Sequence, residues 1–194
     1  MSDAATPGAV RFLALLTPIE RDLETYCRRL LWEPQQAPDA LQNAVMRAFA
    51  AFDRYRADAS FRAWMFKIVT HEAFAMNRKH ARIARHEFQL EPEELAELPG
   101  GAELDPAVAQ APSPAALNEA LDPALGAGLR TLTDTERAVL LLRAVGELRY
   151  REIGDSLAIP MGTVMGSLSR ARQKMRAFLT RTARRTDLLK ENEL

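Results

Sequence analysis

Between residues 9 and 89 the chain contains no glycine, and its prolines there are Pro18, Pro34 and Pro38. Apolar residues through this stretch recur every three to four positions, the period of a buried helix face. Residues 90–128 reverse the pattern, with Pro92, Pro99, Pro106, Pro112, Pro114 and Pro123 and with Gly100, Gly101, Gly126 and Gly128. Such punctuation suits a flexible or extended connector. Residues 129–182 return to long apolar periodicity. No segment alternates apolar and polar residues between turn signals, as a half-buried strand requires. The expected fold class is therefore all-α: two small helical domains, residues 9–89 and 129–185, joined by a linker over 90–128.

Charge follows the same division. The 194 residues carry 26 basic and 26 acidic side chains, a formal net of zero. Residues 1–89 have a net charge of +3, residues 90–122 one of −8 with no basic residue, and residues 123–194 one of +5. Neutrality is a cancellation between segregated blocks, which argues only against a uniformly basic or uniformly acidic chain. A hydrophobic content of 47% supports a real core. No apolar run approaches the roughly 20 residues needed to cross a bilayer, so no membrane insertion is expected. Met1 to Pro7 lacks the order of a secretion signal. The one cysteine, Cys27, excludes an internal disulfide and fits a reducing, cytoplasmic setting. Three scattered histidines offer no metal site, and no cofactor or small-molecule substrate is implied.

Local signals place the helices. Thr17-Pro18-Ile19-Glu20 reads as a Thr N-cap followed by Pro at the first helical position. A second helix from about Asp39 to Phe52 carries Leu41, Val45, Ala48, Phe49 and Phe52 at helical spacing. Asp53 to Ala59 reads as a turn, and Ser60 as the cap of a third helix running to about residue 86. Thr133-Asp134-Thr135-Glu136 is a capping box ahead of Ala138 to Val145. A short helix from about Tyr150 to Leu157, a turn through Pro160, and a long helix with Val164, Leu168, Ala171, Met175 and Phe178 on one stripe give a helix-turn-helix. Along the long helix, residues 170–190 hold eight basic residues against Asp187, the charge that phosphate binding requires. Upstream, seven of the chain's 13 aromatic residues lie between Phe49 and Phe74, interleaved with Arg54, Arg56, Arg62 and Lys67. Rings stack unpaired bases while cations hold the backbone. Phe49, Phe52, Trp64 and Phe66 have core spacing, which leaves Tyr55 and Phe61 as the candidates for exposed contacts.

The ordered set Tyr150-Arg151-Glu152-Ile153, Ile159 to Val164 and Leu168 to Arg172 resembles the promoter −35-binding domain of extracytoplasmic-function sigma factors. Asp53 to Trp64 is similar to that family's −10-recognition and melting segment, and Ala37 to Phe49 to its polymerase-binding helix. The resemblance implies a region-2-type domain over 9–89, an acidic linker over 90–128 and a region-4-type domain over 129–185. It further implies a transcription initiation factor, not an enzyme, that binds core RNA polymerase and promoter DNA, with an anti-sigma factor as a third partner. Asp39, Gln42 and Arg47 would dock the polymerase. Tyr55, Arg56, Asp58, Ser60, Phe61, Arg62, Asn77, Arg78, Lys79 and Arg82 would contact the −10 element. Thr163, Ser167, Ser169, Arg170, Arg172 and Lys174 would read the −35 element.

The chain departs from the family pattern at several positions. Pro38 and Asn43 stand where Glu is common, and His71 and Met76 where Asn and Asp are common. The recognition helix reads Val164-Met165-Gly166-Ser167 in place of Val-Lys-Ser-Arg, which removes two cations. Direct −35 readout is therefore expected to be weaker or differently specified. Two other readings stay open: a sigma-like decoy that binds protein partners without promoter recognition, and an autonomous helix-turn-helix regulator. An enzyme is disfavoured. His71-Glu72 starts like a zinc-protease motif, but Ala75 stands where the second His is needed.

Overall fold

A computed structural model describes residues 7–56, 60–88 and 123–191, with side chains placed to residue 82 in the second stretch and to residue 183 in the third. Among the described residues there is no strand. The helices are α1 (Pro7–Leu16), α2 (Glu20–Leu30), α3 (Ala37–Ala51), α4 (Phe61–Phe88), α5 (123–130), α6 (Asp134–Ala144), α7 (Tyr150–Leu157) and α8 (Met161–Glu191), with short 3-10 turns leading into α2 and α3 and following α3. None of the described helices is long and apolar enough to cross a membrane.

The N-terminal unit packs α2, α3 and α4 around Leu23, Tyr26, Leu30, Met65, Phe66 and Val69, all buried. Its inner α3 face differs from the expectation. Ala37, Ala40, Ala44 and Ala48 are the buried side chains, whereas Phe49 is 47% exposed. Small residues at these spacings bring the α3 backbone close to its neighbours, so the larger Leu41 and Val45 pack only at its margins. Tyr26 donates one buried hydrogen bond to Thr70 Oγ1, 2.7 Å away, whose own proton goes to the Phe66 carbonyl. The Cys27 thiol is buried, faces the Ala37 carbonyl, and is pushed up to about 12 by burial with a further contribution from Glu72. It is a packed thiol.

One expectation near the N-terminus is corrected. Helix α1 lies ahead of Thr17, so the chain is already helical there. Thr17 consequently donates its hydroxyl back to the Leu13 carbonyl instead of capping α2. Ser60, by contrast, caps α4 as expected, accepting from the Ala63 N–H at 3.2 Å.

In the C-terminal unit the capping box forms: Glu136 N–H donates to Thr133 Oγ1 and Thr133 N–H donates to Glu136 Oε2. Helix α5 starts at 123, inside the stretch read as linker. Gly128 is a packing feature there: a Cβ on it would stand 2.9 Å from Met175 Cε, so any larger residue would require the Met175 side chain to move aside. Buried Arg137 donates to the Leu129 carbonyl and ties α6 to the end of α5. Helix α7 ends at Ala158 in the left-handed conformation, φ 54°, which turns the chain into α8. The remaining linker, residues 90–122, lies outside the described residues.

The two units touch. Arg62, in the first turn of α4, donates from Nε to the Gly146 carbonyl at 2.6 Å and from Nη2 to the Val145 carbonyl and to Asp22, each at 2.8 Å. Its guanidinium also covers the Phe66 ring. On the same side, Trp32 Nε1 donates to Asp134 at 3.2 Å.

Candidate nucleic-acid interface

Three surfaces gather the residues singled out in the sequence. The first is the outer side of α3, opposite its alanine stripe. Asp39, Gln42, Met46 and Phe49 are exposed there, spaced so that they share one helix face. Arg47 lies beside them and pairs with Glu72 of α4 at 2.7 Å, which orients the α3 face on the helix below.

The second surface surrounds the start of α4. Tyr55 is half-buried, stacked on Phe52 at 5.8 Å and edge-on to Phe61 at 5.5 Å, with Trp64 at 5.1 Å. Phe61 was expected to be exposed, but it is 8% exposed and belongs to the core. It follows the Ser60 cap directly, so the first turn of α4 drives its ring inward against Phe12 and Phe52. Asn77 also departs from the expected outward set. It is buried, accepting from the Trp32 N–H and donating to the Leu30 carbonyl, where it satisfies the C-terminal end of α2. Arg62 faces the C-terminal unit. Ser60 and Arg56 are exposed, and Asp58 lies outside the described residues. Arg78, Lys79 and Arg82 are exposed along one outer stretch of α4 and form its cationic surface.

The third surface is the helix-turn-helix. The α8 residues Val164, Leu168, Ala171 and Met175 are buried, which turns Met165, Ser169, Arg172 and Arg176 outward. Thr163 is exposed. Ser167 is 2% exposed, so it faces inward, unlike the contact role expected for it. Arg172 and Arg176 border a surface groove with Tyr150, Met165 and Gln173. Arg143 lies over the Tyr150 ring and adds a further cation beside it.

Sequence reasoning missed the role of Glu136. Besides closing the capping box, its carboxylate pairs with Lys174 at 2.7 Å and Arg170 at 3.2 Å, both on α8. Burial raises its pKa, but the Lys174 hydrogen bond, the Thr133 N–H, the charge of Lys174 and the Arg170 hydrogen bond outweigh burial and hold it below the usual carboxylate range. One side chain thus caps the start of α6 and holds two cations of α8 in place. The capping-box signal identified the residue; the cross-helix pairing has no local signature.

Comparison with known proteins agrees with this layout. The family model described as Sigma-70 region 2 matches residues 15–83, and the one described as Sigma-70, region 4 matches residues 124–175. The ECF RNA polymerase sigma factor SigW of Bacillus subtilis is 29% identical over 155 residues, covering 79% of this chain and 80% of that protein. RNA polymerase sigma-H factor of Pseudomonas aeruginosa is 28% identical over 147 residues, covering 75% of this chain and 74% of that protein. Among solved structures, the sigma factor RpoE of Bartonella quintana, in complex with the anti-sigma factor NepR, superposes with a TM-score of 0.70 at 19% identity, covering 88% of this chain and 97% of that one. CnrH, in complex with the cytosolic domain of CnrY, gives a TM-score of 0.59 at 21% identity over 87% of each chain. At these identities the two structures speak for the fold.

Proposed function

We proceed from the family to which the chain belongs, the extracytoplasmic-function sigma factors, and propose how its three surfaces divide the work of directing RNA polymerase to promoters. The exposed α3 face, Asp39, Gln42, Met46 and Phe49, docks core polymerase. The start of α4 and its cations Arg78, Lys79 and Arg82 engage the −10 region, with Tyr55 as the aromatic edge nearest the loop. A base leaving the stack there costs a few kcal/mol, which its pocket and the polymerase must offset. Helix α8 enters the major groove of the −35 element, with Thr163, Ser169 and Arg172 on its outer side.

The observation that carries this reading is the order of two separate units on one chain, each with its own charged outer face. An autonomous regulator needs only the second unit. The decoy reading needs the protein-docking face alone and leaves the cations of α4 and α8 without a ligand. The two solved relatives were captured with an anti-sigma factor and with the cytosolic domain of CnrY, and we expect a protein inhibitor of comparable kind to bind this chain.

Run-off transcription tests the reading directly. Purified full-length chain is mixed with core polymerase and the DNA upstream of its own coding sequence. Initiation without another sigma factor is the expected result. Core binding without initiation on any genomic template supports the decoy, and failure of both sinks the assignment.

A further inference from the structure

We propose that Met165 is a specificity-determining residue of the recognition helix, reading the C5-methyl of a thymine in the −35 element. The inference deepens the reading above and rests on α8 entering the major groove.

Over the first six residues of α8, Met161 to Gly166, only Met161 and Met165 have side chains long enough to reach a base edge and outward enough to do so. They are 53% and 45% exposed. One turn apart, they share a side of the helix. Val164 is fully buried, Thr163 is short, and Gly162 and Gly166 have no side chain. A Cβ added at Gly162 would meet nothing within 4 Å, and one at Gly166 would meet only Arg170 Nη1, at 3.3 Å. The bare backbone at these positions lets the helix approach the groove floor closely.

The first six residues of α8 carry no side chain for the usual guanine contact. A bidentate contact to guanine needs Arg or Lys. The next cation along α8, Arg170, is one turn beyond Gly166 and is held by Glu136 and by the Ser167 hydroxyl. Of the four bases, thymine alone offers an apolar group in the major groove. A flexible, polarisable thioether is well suited to cover it. Arg172 and Arg176, beside Met165 on the same groove, are free to take the flanking phosphates and set the depth of the helix.

The test uses holoenzyme reconstituted from the full chain and core polymerase. Promoters are selected from a library randomised across the −35 element, and each thymine of the winning sequence is then replaced by deoxyuridine, which deletes only the methyl. At one thymine this replacement should weaken binding about three- to fivefold, the worth of one buried methyl. Met165→Ala should bind the selected thymine promoter more weakly and be indifferent to deoxyuridine at that position. Met165→Leu should keep the dependence, and folding of both variants is checked by thermal melting. A deoxyuridine penalty that persists undiminished in Met165→Ala overturns the assignment, as does a selected element with no methyl-sensitive thymine. Loss of core binding in Met165→Ala also overturns it, since the side chain would then serve a protein contact. If wild-type holoenzyme opens no promoter, the sigma reading itself fails, an outcome separate from these.

Discussion

Glu136 concentrates more structure than any other polar side chain in the C-terminal unit. Its buried carboxylate accepts from the Thr133 N–H, Lys174 and Arg170, so three donors, two of them on α8, meet on two oxygens. Replacing it by Gln should cost about 1–3 kcal/mol, the range for breaking charge-assisted bonds to a buried group. Because its folded pKa is depressed, the carboxylate contributes stability in full above the unfolded value of about 4.3 and loses it as pH falls through the lower folded value. Chemical denaturation at about pH 7 and about pH 3.5 should therefore show a larger acid loss in wild type than in Glu136→Gln. Equal acid losses would mean that the carboxylate is not held by these partners.

At the scale of single helices, α3 presents two chemically distinct sides. The inner one is alanine, and Ala44 is fully buried. Ala44→Leu should destabilise by about 1–3 kcal/mol through overpacking. Met46→Leu, at a position 63% exposed on the opposite side, should change stability by no more than about 0.5 kcal/mol. Thermal unfolding of the two variants checks the contrast, and similar shifts would refute the assignment of faces. The same helix shows what could be read from sequence. Its span was legible from periodicity, but the buried side was not, because alanine is a weak hydrophobic signal and Phe49 looked like a core residue. Helices α6 to α8 were legible nearly to the residue, since a capping box, a Pro-containing turn and a regular apolar stripe are all local. Phe61, Asn77 and Ser167 were expected on the outer side. Asn77 is turned inward by the Leu30 carbonyl and Phe61 packs on Phe12, partners that no window of neighbouring residues contains, whereas the partner of the buried Ser167, Arg170, is only three residues on.

Across the whole molecule, Arg62 is the principal polar link between the units. It binds two carbonyls of the α6–α7 turn and Asp22 at once. Arg62→Ala should leave the helicity of each unit unchanged while increasing the radius of gyration measured by small-angle scattering. An unchanged radius would show that the remaining contacts, the Trp32–Asp134 hydrogen bond among them, are enough to hold the units together. The expected location of this arginine was the −10 surface; in the structure the turn between α6 and α7 occupies it.

The pairing of Glu136 with Lys174 and Arg170 bears on how DNA affinity responds to salt. Affinity for a polyelectrolyte grows with the number of condensed ions that the protein displaces. Glu136 acts as a covalently tethered counterion that travels with the recognition helix. A phosphate recruiting Lys174 meets a site already partly compensated by an anion that cannot diffuse away. Counting the cations of α8 therefore overstates the ionic-strength sensitivity of the complex: its affinity should be lower at low salt, and fall less steeply with salt, than that of a helix of the same sequence with every cation unpaired.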